Sequence, residues 1–182
     1  TDGNMKEMQI SRFTVDLPGA FSLKGGGILE NLTDSLTRSG TIGLDMVTRN
    51  LNFLTGLTGV TPDGSLVIPD SMSLKMKMEM NGPQYKAKLD LKEGKGSMNV
   101  NAALNSSTEV YTADLKINDL QLHHFLPKDS IYELSLSADA KGRGLDVMSF
   151  HSLANLNLSL DQLHYARYHL SNVHLTGNLK GA

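Results

Sequence analysis

The sequence predicts an all-β protein: an antiparallel meander of ten or more strands curled into a taco-like groove or open barrel, with at most one or two short helices. Three observations predict this fold. Apolar and polar residues alternate with period two along most of the chain, as in strands with one dry and one wet face. Turns containing Gly, Asn or Pro separate these runs. The prolines fall at or near segment ends, where a missing N–H donor is tolerated.

The clearest predicted strands lie in the middle of the chain. From Ser73 to Met80, leucine and methionine occupy one face while lysine and glutamate occupy the other. Residues 85–91, 98–104 and 111–117 alternate in the same way, and short turns join all four runs. Such runs, connected by short turns, are typical of an antiparallel meander.

The same alternation continues on both sides of this central part. It covers residues 13–17, 21–23, 42–46, 132–138, 156–160 and 173–179. Its parity changes near Asp119 and again between Leu170 and Val173, which predicts bulges that bend and twist the sheet. The glycine triplet 25–27 likewise predicts a bulge or a sharp bend, because glycine tolerates unusual backbone geometry.

Two stretches carry helical signals. Residues 47–57 place apolar side chains at spacings of four, three and three, which fits one face of a short helix. Glu30 to Leu36 could supply a further turn or two. We interpret residues 1–182 as a single β-repeat segment of a longer protein, with a candidate sub-boundary near residues 60–70. The chain begins at Thr1, without an initiator methionine or signal peptide, which is the basis for expecting a longer parent.

Composition disfavours several functional classes. The chain has 17 Lys plus Arg against 19 Asp plus Glu, and this balance is unlike the basic surplus of nucleic-acid binders. It has no tryptophan and few other aromatic residues for base or sugar stacking. The absence of cysteine excludes thiol nucleophiles, Cys-ligated zinc and disulfides. Its short apolar runs fall far below the roughly 20 residues of a membrane helix.

No catalytic or metal-binding pattern stands out. His123 and His124 are adjacent, so on a strand they would face opposite sides, and the five-residue spacing of His164, His169 and His174 also predicts alternating faces. The sequence contains no His-Glu-x-x-His motif, no Gly-x-Ser-x-Gly elbow and no phosphate loop ending in Lys-Ser or Lys-Thr. We therefore predict a protein that is not an enzyme and has no catalytic residues, cofactor or metal.

The predicted apolar face must be buried against a second sheet, against itself or against a ligand. About 800 Å² left uncovered would exceed the apolar patches usual on monomers and would forgo roughly 20 kcal/mol of burial. Methionines cluster on this face, which suits either a plastic core or a surface that accommodates varied apolar ligands. The candidate groove-lining residues are Leu74, Met76, Met78, Met80, Tyr85, Ala87, Leu89, Leu91, Met98, Val100, Leu104, Tyr111, Leu115, Ile117, Leu134, Leu136, Leu156, Leu158 and Leu160.

Five segments follow a repeat style in which a Gly-x-Gly turn, here Gly142-Arg143-Gly144, leads into leucine-rich alternating strands. They are Val15–Gly19, Phe21–Gly27, Tyr111–Leu122, Ala138–Asp146 with Leu156–Leu163, and Tyr168–Gly181. Together they resemble the repeats of the AsmA/TamB-like proteins. The likeness covers most of the chain, although it is a style of repeat and not a signature motif.

The resemblance implies a periplasmic segment of a long envelope-biogenesis protein whose parent is anchored in the inner membrane. Such proteins form a curved β-sheet with a taco-like groove, which carries phospholipid between the inner and outer membranes. Some are linked to the assembly of outer-membrane proteins. The expected partners are thus phospholipid or another acyl-chain lipid and outer-membrane assembly proteins, with no nucleic acid. Membrane contact would come through parent segments outside this chain, and the resemblance supplies no catalytic residues.

Two hypotheses remain open at this point. The first is an apolar conduit that solvates acyl chains with low selectivity, because a strip of Leu and Met discriminates weakly between similar chains. The second is a closed β-sandwich that serves adhesion or assembly and holds no ligand. The two differ in whether the polypeptide itself fills the space above its apolar face.

Overall fold

The computed structural model describes residues 6–50, 67–146 and 152–180, which form ten strands and one short 3₁₀ helix. The strands are β1 (Glu7–Leu17), β2 (Phe21–Glu30), β3 (Ser39–Thr48), β4 (Met72–Asn81), β5 (Gln84–Glu93), β6 (Gly96–Asn105), β7 (Val110–Gln121), β8 (Ile131–Arg143), β9 (Leu153–Tyr165) and β10 (Tyr168–Lys180). They lie in chain order in one antiparallel sheet. Within the described residues, β1 and β10 each pair on one side only, so the sheet is open. The predicted all-β meander is confirmed.

The register brings the apolar residues of neighbouring strands into continuous rows. Leu74 lies opposite Leu91, which lies opposite Met98, which in turn lies opposite Ile117. Such cross-strand pairs each contribute roughly 0.2–1 kcal/mol. Alternation along each strand and pairing between strands therefore give the sheet one coherent apolar face.

The opposite face carries a matching polar row that reinforces this register. Lys24 lies opposite Asp45, Asp45 opposite Lys75, and Lys75 opposite Asp90, so the charges alternate in sign from strand to strand. The row continues to Asn99, whose amide donates a 2.5 Å hydrogen bond to Asp90. Because a slip of one residue would move these charges onto the apolar face, the pairing is strongly specified.

Bulges occur where the parity changes predict them. The pairing of β7 with β8 shifts between Ile117 and Leu120, and Asp119 there has a φ of 46°. The Asp119 N–H donates a 2.8 Å hydrogen bond to Ser135 Oγ, which satisfies a donor released from the ladder. At the second position, Asn172 in β10 has a φ of 56°. In the neighbouring strand β9, the register against β8 shifts at the same level, between Ser135 and Leu136 of β8.

The predicted bulge near the glycine triplet lies in the partner strand. The register of β1 shifts between Ile10 and Phe13, opposite Gly26. The Phe13 ring lies over Gly25, where a Cβ atom would collide with it. The triplet thus gives an aromatic ring room to lie over the sheet.

The two helical signals have a different outcome. Val47 and Thr48, at the start of the first predicted helix, belong to β3, and residues 51–57 lie outside the described part of the chain. Hydrogen-bonded pairing with β2 and β4 makes this end of β3 a strand despite the helical spacing of its apolar residues. The second signal corresponds to turns within residues 31–38, one of them closed by a 2.9 Å hydrogen bond from Arg38 N to Asp34 O. The proposed sub-boundary at 60–70 lies mostly outside the described residues.

The observed 3₁₀ helix spans Leu122–His124, where the sequence predicts that strand alternation continues through Leu122. Leu122 and Phe125 instead turn toward the apolar face and pack against its core cluster. That cluster consists of Met72, Leu91, Ile117 and Leu120, all at most 9% exposed. The core therefore sits at one end of strands β4, β5 and β7, and the 3₁₀ helix caps it.

Candidate functional site: an apolar furrow

A cavity of about 410 Å³ lies on the apolar face, at the strand ends opposite the core cluster. Its lining includes residues of β2 and β7, strands that would lie about 24 Å apart in a flat sheet. The lining also includes residues of β3, β4, β5 and β6, so the cavity extends across six neighbouring strands. The lining residues on the apolar face of the strands are Leu29, Ile42, Met78, Met80, Tyr85, Ala87, Ala102, Leu104, Tyr111 and Ala113, and Leu145 adds to them after β8. Ala103 also borders the cavity, but strand alternation places its methyl group on the opposite face, between Lys86 and Thr112.

A row of alanines creates this space. Ala87 lies opposite Ala102, Ala102 opposite Ala113, and Ala113 opposite Ala140, so four consecutive strands contribute methyl groups at the same level. We call these four residues the alanine row. The row spans three strand spacings, or about 14 Å, perpendicular to the strands.

Larger side chains border the alanine row on both sides. Toward the core lie Leu89, Val100 and Leu115, paired in sequence across the strands. Toward the strand ends lie Tyr85, Leu104 and Tyr111, paired in the same way. Between these two ridges the alanine row forms a furrow that runs across the sheet, and the cavity occupies part of it.

One wall of the furrow depends on a glycine. Tyr111 lies opposite Gly142, and a Cβ atom at Gly142 would collide both with the Leu153 carbonyl oxygen and with the tyrosine ring. Without a side chain at this position, the end of the Tyr111 ring approaches β8 closely. The aromatic wall therefore requires glycine at residue 142.

The nineteen predicted lining residues divide between the cavity and the core. Six line the cavity: Met78, Met80, Tyr85, Ala87, Leu104 and Tyr111. Eight belong to the core cluster or pack against it: Leu74, Leu89, Leu91, Met98, Leu115, Ile117, Leu134 and Leu136. The other five, Met76, Val100, Leu156, Leu158 and Leu160, continue the apolar rows in β4, β6 and β9. Leu91 and Ile117 are buried by protein and therefore belong to the core, not to an open lining.

Several cavity residues are missing from the predicted set. Ala102, Ala113 and Ile42 have the correct alternation, but their contribution depends on which residues align across strands. Leu29 lies near the end of β2, and Leu145 follows β8. Alternation was thus a usable signal for the first three residues. Leu29 reaches the cavity through the pairing of β2, β3 and β4, and Leu145, which follows β8, is identified only by the three-dimensional structure.

A buried carboxylate lies at the closed end of the apolar face. Glu93 pairs with Met72 and Gly96 and is 5% exposed. Its Oε1 lies 2.7 Å from His124 Nδ1, while its Oε2 has no hydrogen-bond partner within the described residues. Because an isolated buried carboxylate is costly, the contact with His124 holds the 3₁₀ helix against the core.

The histidines differ from their predicted placement. His123 and His124 lie in the 3₁₀ helix, not on a strand, and their ring centroids are 4.1 Å apart. His164 and His169 lie opposite each other and stack at 4.1 Å, so the expectation that they face opposite sides is wrong. Because the turn between β9 and β10 contains two residues, Ala166 and Arg167, His164 and His169 lie directly opposite each other although they are five residues apart. No group of three or more His, Asp or Glu side chains in the described residues is arranged to hold a metal ion.

The polar face carries an exposed ion pair behind the cavity. Lys77 Nζ lies 2.5 Å from Glu79 Oε1 on the same face of β4. The hydrogen bond from Lys77 lowers the pKa of Glu79 below its ordinary value, and the lysine charge acts in the same direction. Glu79 is thereby kept ionised and turned toward solvent.

No family model, curated protein or solved structure matches this chain. No helix among the described residues is both long and apolar enough to cross a membrane. A functional interpretation therefore depends on the geometry of the furrow and on the repeat style of the sequence.

Proposed function

We propose that the furrow holds acyl chains of phospholipid and that the chain is a non-enzymatic carrier segment. The observation that supports this function best is the apolar cavity at the alanine row, on a face with no second sheet over it in the described part of the chain. Its volume of about 410 Å³ lies within the roughly 300–1,000 Å³ range of small-molecule sites. The single sheet favours a groove over a closed sandwich.

The apolar face retains exposed side chains that a lipid could cover. Met78 is 46% exposed, Leu156 45% and Leu175 58%. Fully burying one such side chain is favourable by about 1.5–3 kcal/mol. An acyl chain along the furrow would supply contacts that the polypeptide does not make.

The orientation of the furrow suits transfer along the sheet. It runs across the strands, so an acyl chain could pass from one hairpin to the next without crossing the core cluster at the strand ends. On the AsmA/TamB-like resemblance, we propose that this transfer carries phospholipid between inner and outer membranes in the periplasm. The parent protein would be anchored in the inner membrane and would support outer-membrane protein assembly.

Site-specific photocrosslinking tests this function directly. A benzophenone amino acid at Met78 would face the cavity, whereas the same group at Lys77 would face solvent on the adjacent residue. We expect irradiation in cells to give a phospholipid adduct at residue 78 and none at residue 77, as read by mass spectrometry. Equal labelling at both positions, or no lipid at residue 78, would contradict the proposal.

A further inference from the structure

A half-buried arginine lies beside the cavity. Arg38 immediately precedes β3, and its parity places it on the same face as Gly40, which lines the cavity. Its guanidinium carbon lies 5.1 Å from the ring centroid of Tyr85, another cavity residue. An arginine stacked on the wall of an apolar cavity places a fixed positive charge where that cavity meets polar surroundings.

Hydrogen bonds hold Arg38 in this position. Its Nε donates to the Gly82 carbonyl oxygen at 3.2 Å, and the Gly82 N–H donates to the Arg38 carbonyl oxygen at 2.6 Å. Gly82 has a φ of 54° in the turn between β4 and β5. The reciprocal bonds tie the arginine to a tight turn, so little side-chain freedom remains to be lost on ligand binding.

The guanidinium forms no salt bridge among the described residues, although its charge is one of the weaker causes that lower the pKa of Asp34. The ion pairs found there join Lys77 to Glu79 and His124 to Glu93. The nearby Asp34 carboxylate accepts hydrogen bonds from its own turn, at 2.9 Å and 2.7 Å. Arg38 therefore retains N–H donors suited to the two oxygens of a carboxylate or phosphate.

We propose that Arg38 binds the phosphate of a phospholipid whose acyl chain lies in the furrow. Tyr85 is a positioning residue in this assignment, because its ring orients the guanidinium. The assignment rests on the proposed function, since it requires an acyl chain in the cavity. It adds that the phosphate of the headgroup sits at one defined side of the furrow, beside the Tyr85 wall.

A matched pair of short-chain lipids tests the assignment. Dioctanoyl phosphatidic acid and dioctanoylglycerol differ in the phosphate alone, and each can compete with the neutral dye Nile red for the purified chain. We expect the phosphate-bearing lipid to compete about tenfold better, a preference equivalent to ~1.4 kcal/mol. Arg38→Gln should abolish this preference and leave dioctanoylglycerol competition unchanged. Arg143→Gln, a matched charge change on the polar face, should preserve the preference.

Other results would overturn the assignment. Tyr85→Leu keeps an apolar lining and provides a second variant if Arg38→Gln does not fold, and it should also weaken the preference. A preference that survives in both variants, or that disappears equally in Arg143→Gln, would refute a headgroup site at Arg38 while the furrow stands. If neither lipid displaces the dye from the unmodified chain, the proposed function fails and the assignment fails with it.

Discussion

Replacing Ala102 with Leu should block the furrow without harming the fold. Ala102 lies in the alanine row, between Ala87 and Ala113, and contributes to the cavity lining. A leucine there adds three carbons to space that is not filled by protein. The added side chain gains apolar contacts with the neighbouring ridges, so we expect the free energy of unfolding to stay equal or increase.

The effect on lipid binding follows from the same three carbons. If they displace about three methylenes of a bound chain, at ~0.8 kcal/mol each, binding weakens by about 2.4 kcal/mol, or roughly 60-fold in Kd. Titration of a fluorescent long-chain fatty acid would measure the change in Kd. Urea denaturation would measure stability on the same preparations.

The adjacent residue supplies the control. Ala103 lies on the opposite face of β6, between Lys86 and Thr112. Ala103→Leu makes the same chemical change on the same strand and should leave Kd within about twofold, since surface substitutions usually change energies by less than ~0.5 kcal/mol. An unchanged Kd for Ala102→Leu, or an equal loss in both variants, would refute the furrow as the binding site.

Three further predictions concern the fold around the furrow. His124→Ala should lower the free energy of unfolding, measured in urea, by about 1–2 kcal/mol, because it leaves the Glu93 carboxylate buried without a partner. The loss is moderate because the His124 side chain is half exposed. Replacing both residues by Leu should recover the lost stability. Gly142→Ala should cost about 1–3 kcal/mol in the same assay, because its Cβ would collide with the Leu153 carbonyl oxygen and with the Tyr111 ring; unaltered stability would contradict the close packing of β7, β8 and β9 at this position. The pKa of Asp34 lies below its ordinary value because its carboxylate accepts hydrogen bonds from the Leu36 backbone N–H and from the Thr37 hydroxyl. Its stabilising contribution is therefore present above the unfolded-state pKa and lost as pH falls through the folded value, and Asp34→Asn should remove that part of the acid dependence measured by urea midpoints.

The strand content of the fold was predictable because the alternation is local. Each strand of the β4–β7 meander carries its own period-two pattern, and even the bulge at Asp119 is visible as a change of parity. The 3₁₀ helix was not predictable in this way. Leu122 continues the alternation in sequence. It turns inward because it packs against the core cluster, which includes Met72, distant in sequence, and Leu120, directly after the bulge at Asp119.

The candidate site was predictable only as a face. Alternation identifies which residues share a side of the sheet, but register decides that alanines align between rows of larger residues. The same register places Leu29 and Tyr111 in one cross-strand row that borders the cavity, which no local pattern encodes. Arg38 escaped detection because it lies in a turn and contacts Tyr85 from a distant part of the sequence.

Native mass spectrometry of the chain, purified without detergent from cells, tests the carrier function most directly. We expect a population whose excess mass matches phospholipid, released on collisional activation and greatly reduced in Ala102→Leu but not in Ala103→Leu. A bare polypeptide mass for the unmodified chain, recovered folded and with an accessible cavity, would contradict the claim that this apolar face holds acyl chains.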